Sequence, residues 1–233
     1  MYITIRRGSF SVRGWTKVLF PSLLIVIGLG TSGCENKDVD DLARAQDCLN
    51  KVPNDDHGQA ANCRQFVSGK SSQQAMILRC SIEFMAGGLT TPKILNAFEA
   101  QDGAEAKKEA TLMTVLALDD LAIARAAVSY CNQSGVSGLM YLANLSMIGT
   151  SLKNSGIPLS ETPTEAEIEA AIEACKTGDS ACQPEDIGQA AIVLSESYCQ
   201  GKDDDKICQD INQAVADGAS ADEIGEALLE LLK

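Results

Sequence analysis

Nine cysteines among 233 residues constrain the fold of this chain more than any other feature of its sequence. Only one histidine accompanies them, and no two cysteines have the C-x-x-C spacing of zinc or thiol-redox motifs. Such a cysteine content is typical of disulfide-bonded proteins from oxidising compartments. Because disulfides use cysteines in pairs, the odd count leaves one cysteine with a different role.

The first 33 residues differ in kind from the rest of the chain. They contain four basic residues and no acidic one, and they end in an apolar run from Val18 to Gly30. A helix needs about 20 apolar residues to span a bilayer, so this run is short for a permanent anchor and typical of the core of a signal peptide. We therefore predict that residues 1–33 are a signal peptide.

The end of this leader, Thr31-Ser32-Gly33-Cys34, resembles the lipobox of bacterial lipoproteins. The resemblance implies that Cys34 begins the mature protein and carries a thioether-linked diacylglycerol and an acyl chain such as palmitate. Several acyl chains bind a membrane more firmly than one. Glu35 follows, and by similarity to the sorting rule of enteric lipoproteins it favours the outer membrane. The alternative is ordinary secretion, with Cys34 near the cleavage site by chance.

Eight cysteines remain after Cys34, an even number as a disulfide framework requires. Eight cysteines allow many connectivities, which sequence alone does not distinguish. Three neighbouring pairs, however, flank short polar turns between helical patterns, where a bridge would clamp a helical hairpin. We therefore hypothesise three local bridges and one long-range bridge: Cys48–Cys63, Cys175–Cys182, Cys199–Cys208 and Cys80–Cys131.

Apolar residues of the mature chain recur with helical spacing, and no segment has the alternation of a strand. Two capping boxes, Thr164 with Glu167 and Ser220 with Glu223, mark helix starts. We predict an all-α fold in which helical hairpins stack as a small bundle or short solenoid stapled by disulfides. The predicted helices cover residues 38–51, 59–67, 72–86, 92–100 and 104–132, a segment ending at residue 153, and four segments after residue 164.

Composition also predicts how the mature chain is divided. Residues 34–40 form a short lipid tether, 41–154 an N-terminal helical region and 164–233 a C-terminal helical region. Between the two regions, residues 155–163 contain two prolines and no helical period, which predicts a linker. The alternative is one continuous domain over residues 41–233.

The longest predicted helix, over residues 104–132, has an apolar surface broad enough for a central position in the fold. Asp119 and Asp120 interrupt its apolar run, and two adjacent carboxylates in such a place are candidates for function. The structural alternative is a solvated edge of the helix that contacts Arg125 or Lys107.

A second, faint resemblance concerns repeat proteins. The stretch from Glu173 to Cys182, with a helical pattern on either side, looks like the cysteine-bridged relatives of tetratricopeptide repeats. The resemblance implies stacked helical hairpins. It covers a minority of the chain, and the glycine-tyrosine pattern of that family is lacking elsewhere.

Charge and motifs narrow the classes of function. Without the leader, 200 residues carry 15 basic and 32 acidic side chains, a net charge of -17, and such a chain repels nucleic acid. The sequence contains no nucleophile elbow, phosphate-binding glycine loop or H-E-x-x-H motif. Its single histidine, His57, lies in a polar turn where we expect it to be solvated. We therefore predict no catalytic residue, no cofactor and no metal site.

Two hypotheses about function remain. The first is a membrane-tethered bacterial envelope lipoprotein that acts as a non-catalytic binding or scaffolding module for a protein partner in the envelope. The alternative is an envelope hydrolase that uses a carboxylate pair. A cleft holding two acids of raised pKa would favour the enzyme, whereas a groove without such a pair would favour binding.

Overall fold

The computed structural model describes residues 37–53, 56–100, 108–160, 163–177, 181–202 and 204–233. Within these ranges the chain forms helices and no strand, which confirms the predicted all-α fold. Cys34 and the predicted signal peptide lie outside them. The helices are α1 (Lys37–Asn50), a 3-10 helix (His57–Cys63), α2 (Arg64–Val67), α3 (Gln73–Ala86), α4 (Thr91–Ala100), α5 (Lys108–Val115), α6 (Leu121–Ser134), α7 (Ser137–Lys153), α8 (Glu165–Lys176), α9 (Pro184–Ser197), α10 (Lys206–Asp217) and α11 (Ala221–Leu231).

The N-terminal helices differ from the prediction at two places. Helix α1 begins at Lys37, so the last residues of the predicted tether 34–40 already belong to a helix. The predicted helix over residues 59–67 is a 3-10 helix followed by the single turn of α2. The first difference leaves fewer residues between Cys34 and the first helix than the predicted tether has.

Helix α3 belongs to two hydrophobic cores at once. Leu78 and Ile82 pack into a small core with α1, the 3-10 helix and α2. Cys80 and Phe84 pack into the main core, which the later helices complete. Residues four apart lie on one face of a helix, so the two pairs point in different directions. The described residues after position 36 form one compact unit, in which the segment 155–163 connects α7 to α8.

The predicted long helix over residues 104–132 is wrong, because the chain is not helical between Val115 and Leu121. The Asp120 carboxylate caps α6 by accepting hydrogen bonds from the backbone N–H groups of Ala122 at 2.7 Å and Ile123 at 3.0 Å. A carboxylate that satisfies the free donors of a helix start favours a new helix there over continuation of the old one.

Tertiary hydrogen bonds hold the break between α5 and α6 in place. The backbone N–H of Leu118 donates to the Thr150 hydroxyl of α7 at 2.8 Å, and that of Asp119 donates to the Gly87 carbonyl at 2.9 Å. The side chains of Leu116 and Leu118 are buried. The broad apolar surface that suggested one central helix therefore includes a buried loop.

Helix α7 takes the central position instead. Every residue from Ala143 to Leu152 is buried, and the helix packs against α5, α6, α8 and α9. Small side chains make this possible. A Cβ atom on Gly149 would lie 1.7 Å from the Met113 carbonyl oxygen, so only glycine lets α5 approach this closely.

The eight cysteines after Cys34 form four disulfides, in the four pairs that the spacing suggested. Three of them join neighbouring segments, and the fourth joins α3 to α6 across the main core: Cys48–Cys63, Cys175–Cys182, Cys199–Cys208 and Cys80–Cys131. The last bridge spans 51 residues of sequence, against 7 to 15 for the others. It is the covalent link between the N-terminal helices and the centre of the fold.

Both predicted capping boxes are confirmed. At the start of α8 the Glu167 carboxylate accepts from the Thr164 N–H at 2.6 Å, and the Thr164 hydroxyl accepts from the Glu167 N–H at 3.3 Å. Ser220 and Glu223 make the same reciprocal bonds at the start of α11. The Thr164 backbone and hydroxyl hold the pKa of Glu167 below its ordinary value, because their hydrogen bonds favour the ionised carboxylate.

Candidate functional site

A polar groove of about 570 Å³ opens between α2, the turn after it, α3 and α6. This volume falls in the range of small-ligand sites. We call it the Arg79 groove, after one of the cations that line it. Its lining residues are Arg64, Val67, Ser68, Gly69, Lys70, Ser71, Met76, Arg79, Glu83, Tyr130 and Gln133.

Arg79 is held in the groove by a backbone carbonyl and an aromatic ring. Its Nε and Nη2 atoms donate to the Val67 carbonyl oxygen at 3.0 and 2.5 Å. Its guanidinium carbon lies 5.1 Å from the centre of the Tyr130 ring, a cation–π distance. No carboxylate of the described residues lies within 4 Å of this guanidinium, so its charge is oriented but not neutralised.

The long-range disulfide sets this contact. Arg79 precedes Cys80, and Tyr130 precedes Cys131, so the bridge between α3 and α6 places the guanidinium beside the ring. The Cα atoms of the two cysteines are 4.9 Å apart. The covalent bond therefore holds α3 and α6 together where they form two walls of the groove.

Glu83 supplies the buried carboxylate of the groove, with only 3% of the residue exposed. Arg64 meets both of its oxygens, with Nε at 2.8 Å from Oε1 and Nη2 at 2.5 Å from Oε2. This paired geometry raises the pKa of Arg64 through its hydrogen bond with Glu83. The two charges neutralise each other, which is what allows a carboxylate to stay buried here.

Lys70 connects the rim of the groove to the start of α1. Its Nζ atom lies 2.7 Å from Asp38 Oδ1 and 2.9 Å from Asp41 Oδ2. The hydrogen bond from Lys70 lowers the pKa of Asp41, and the two carboxylates raise the pKa of Lys70. The first turn of α1 is thereby held against the groove.

A second polar cluster surrounds Asp119. Its Oδ2 atom lies 3.1 Å from His57 Nε2, and its Oδ1 atom 3.0 Å from Lys153 Nζ. Gly88 leaves room for it, since a Cβ atom there would lie 2.7 Å from Asp119 Oδ2 and 3.3 Å from His57 Nε2. Lys93 lies nearby and donates from Nζ to the Ala117 carbonyl at 2.5 Å.

One carboxylate faces two lysines and a histidine in this cluster. Burial favours a raised pKa for Asp119, but the hydrogen bond and charge of Lys153, the charge of Lys93 and the contact with His57 together hold it below its ordinary value. Burial lowers the pKa of Lys93, and the charge of Lys153 adds to this. Because the side chains of His57, Asp119 and Lys153 are 35 to 49% exposed, we assign the cluster a structural role of modest strength.

The two adjacent carboxylates that the sequence suggested as candidates for function have different partners in the structure. Asp119 faces His57 and Lys153, whereas Asp120 is occupied as the cap of α6. Arg125, one of the predicted contacts, pairs instead with Asp186 of α9 at 2.6 Å. Lys107, the other, lies outside the described residues.

The sequence prediction for His57 needs a similar correction. It was expected to be a solvated turn residue, and it lies at the first position of the 3-10 helix, with its Nε2 atom against Asp119. The two residues are 62 positions apart, so no local pattern relates them.

The residues of the Arg79 groove were not predicted from the sequence. One signal could have pointed to them. Arg79 and Tyr130 each precede a cysteine of the one long-range bridge, so that pairing already implies that they are neighbours. Their contact with each other and with Val67 depends on the tertiary structure.

The described residues contain neither a cluster suited to a metal ion nor a helix suited to a membrane span. No three His, Cys, Asp or Glu side chains in this part of the chain are grouped so as to hold a metal ion. No helix among the same residues has the length and apolar character needed to cross a bilayer. Comparison of the chain with protein-family models, curated proteins and solved structures gives no match.

Proposed function

We propose that this protein is a lipoprotein of the bacterial envelope, anchored through Cys34, whose helical body binds a partner in the Arg79 groove without catalysing a reaction. The observation that carries the proposal is Arg79, a cation held by the Val67 carbonyl and the Tyr130 ring with no carboxylate partner among the described residues. A groove of this size that contains an oriented polar group is typical of ligand-binding sites.

The rigidity of the groove supports binding. Its walls, α3 and α6, are joined by Cys80–Cys131, and its rim is joined to α1 through Lys70. A preformed site loses little conformational entropy when it is occupied, so more of the contact energy appears as affinity.

The bonding of the polar side chains in the groove supports a non-catalytic role. Both oxygens of Glu83 are occupied by Arg64, and Lys70 is occupied by Asp38 and Asp41. A general acid or base needs a side chain that is free to exchange a proton with a substrate. The groove is therefore better suited to recognition than to proton transfer.

Site-specific crosslinking in cells tests the binding function. With Gln133 replaced by p-benzoylphenylalanine in the full chain, we expect irradiation to produce a discrete adduct, because Gln133 lines the groove. The matched control carries the same residue at Gln189, an exposed glutamine of α9 outside the groove. Equal adduct patterns at the two positions would contradict binding in the groove.

Fractionation tests the anchor. In the Cys34→Ala chain the acceptor for the lipid is lost, so we expect the protein to move from the membrane fraction to the soluble fraction. Acyl chains contribute about 0.8 kcal/mol for each buried methylene, so their loss should release nearly all of the protein. Cys48→Ala, which removes a disulfide cysteine, is the control and should remain bound. A Cys34→Ala chain that stays in the membrane fraction would rule out the lipid anchor.

A further inference from the structure

We propose that the Arg79 groove binds the phosphate group of a lipid in the membrane to which Cys34 anchors the protein. The inference rests on the proposed function, because the anchor is what brings the groove to the lipid surface. It adds the chemical class of the ligand, which the binding function by itself leaves open.

The donors of the groove suit a phosphate oxygen. The Nε and Nη2 atoms of Arg79 donate to the Val67 carbonyl, so Nη1 and the outer edge of the guanidinium remain available to a ligand. The hydroxyl groups of Ser68 and Ser71 also line the groove, and neither bonds to another described residue. A planar guanidinium with neutral hydroxyl donors is a common way to hold phosphate.

The anchor and the groove are close along the chain. Cys34 and Asp38 are four positions apart, and even a fully extended chain of that length spans only about 14 Å. Asp38 in turn bonds to Lys70 at the rim of the groove. The rim is therefore bonded to a residue only four positions after the proposed lipidation site.

The net negative charge of the protein body leaves the groove as the part that would recognise an anionic lipid. The chain after the leader has a net charge of -17, which opposes general adsorption to an anionic membrane. Within the groove, Glu83 neutralises Arg64, while Asp38 and Asp41 neutralise Lys70. Arg79 is the remaining cation of the lining, so recognition of a phosphate should depend on this residue.

Calorimetric titration of the purified full protein in a zwitterionic detergent tests the inference. One arm uses inorganic phosphate and the other a short-chain phosphatidylglycerol, so that free phosphate and a lipid headgroup are distinguished. We expect saturable binding of the lipid, and Arg79→Gln should weaken it by about tenfold or more, because hydrogen bonds to charged groups are the strong ones.

The control is Arg125→Gln, which changes the net charge by the same amount. Arg125 does not line the groove and pairs with Asp186 of α9. We expect its affinity to stay within about twofold of the original. Since Arg79→Gln also breaks bonds to Val67, a second variant, Ser68→Ala with Ser71→Ala, removes hydroxyls that bond to no described residue. It should lower the affinity several-fold while the fold is retained.

The outcomes separate this inference from the proposed function. Binding of the lipid with loss in Arg79→Gln supports the inference, whether or not inorganic phosphate also binds. Absence of saturable lipid binding overturns it, even if inorganic phosphate binds, as does an equal loss in Arg125→Gln. If the crosslink at Gln133 persists while both titrations are flat, the groove binds another ligand and only this inference fails. If the crosslink is absent as well, the binding function fails with it.

Discussion

A chain in which Cys80 and Cys131 are both replaced by alanine should lose about 4 kcal/mol of unfolding free energy, the chain-entropy value for a bridge that closes a loop of 51 residues. The bridge restricts the unfolded chain, and a longer loop loses more conformational freedom when it is closed. Urea denaturation of the oxidised proteins measures the difference directly.

The matched control replaces Cys175 and Cys182 by alanine. All four sulfur-bearing residues are buried to 2% exposure or less, so the two double variants remove similar contacts. The control bridge spans only 7 residues, for which the same model predicts a loss of about 2.5 kcal/mol. Equal losses in the two variants would show that loop length does not decide the contribution of the long bridge.

The second large effect is expected at Gly188, where α9 crosses α11. A Cβ atom there would lie 1.7 Å from the Ala221 carbonyl oxygen and 2.8 Å from the Gly225 nitrogen, both of them backbone atoms of the facing helix or its start. Backbone cannot rotate away as a side chain does, so α11 must move. We expect Gly188→Ala to destabilise the protein by about 3 kcal/mol, at the upper end of the usual cost of overpacking.

Gly138→Ala is the control for this substitution. Gly138 lies in α7, with no heavy atom within 4 Å of the Cβ position and an ordinary backbone angle. Alanine has the higher helix propensity, so this variant should gain up to about 1 kcal/mol. Thermal unfolding measures both changes in stability, which should have opposite signs. A Gly188→Ala protein as stable as the original would mean that the two helices are not packed as closely as described.

Interactions within a few residues could be read from the sequence. The capping boxes at Thr164 and Ser220 depend on a hydroxyl and a carboxylate three positions apart, and both are present at the predicted helix starts. The apolar stripe of α8 is likewise local, because Ile168 and Ile172 are four positions apart on one face of the helix, and both are buried. Such patterns repeat with the period of the helix, which is a property of the backbone alone.

The break between α5 and α6 could not be read in this way. The N–H of Leu118 is satisfied by Thr150, 32 residues later, and the N–H of Asp119 by the Gly87 carbonyl. The Asp120 cap is a local signal for a new helix, but the alanine- and leucine-rich residues around it favour continuation as one helix. Tertiary hydrogen bonds therefore overrode a strong helical pattern.

The contacts of the Arg79 groove also divide into those that the sequence indicates and those that only the tertiary structure creates. Cysteine spacing alone suggested that α3 and α6 are joined through Cys80 and Cys131, and the residues before those cysteines are thereby neighbours. The sequence does not reveal that Arg79 also reaches the carbonyl of Val67, or that Glu83 is buried against Arg64. These contacts exist only after α2 and the turn that follows it have packed onto α3.

The sequence by itself determined that the body is helical, where most helices begin and end, and which cysteines are close enough in the chain to bridge neighbouring helices. The tertiary structure decided that α7 is the central helix, that Asp119 meets His57 rather than pairing with Asp120, and that Arg79 is presented in a groove. The physical reason is the distance along the chain over which each kind of interaction acts. Helix periodicity and capping act between residues a few positions apart, whereas burial, charge pairing and groove shape depend on segments that only packing brings together.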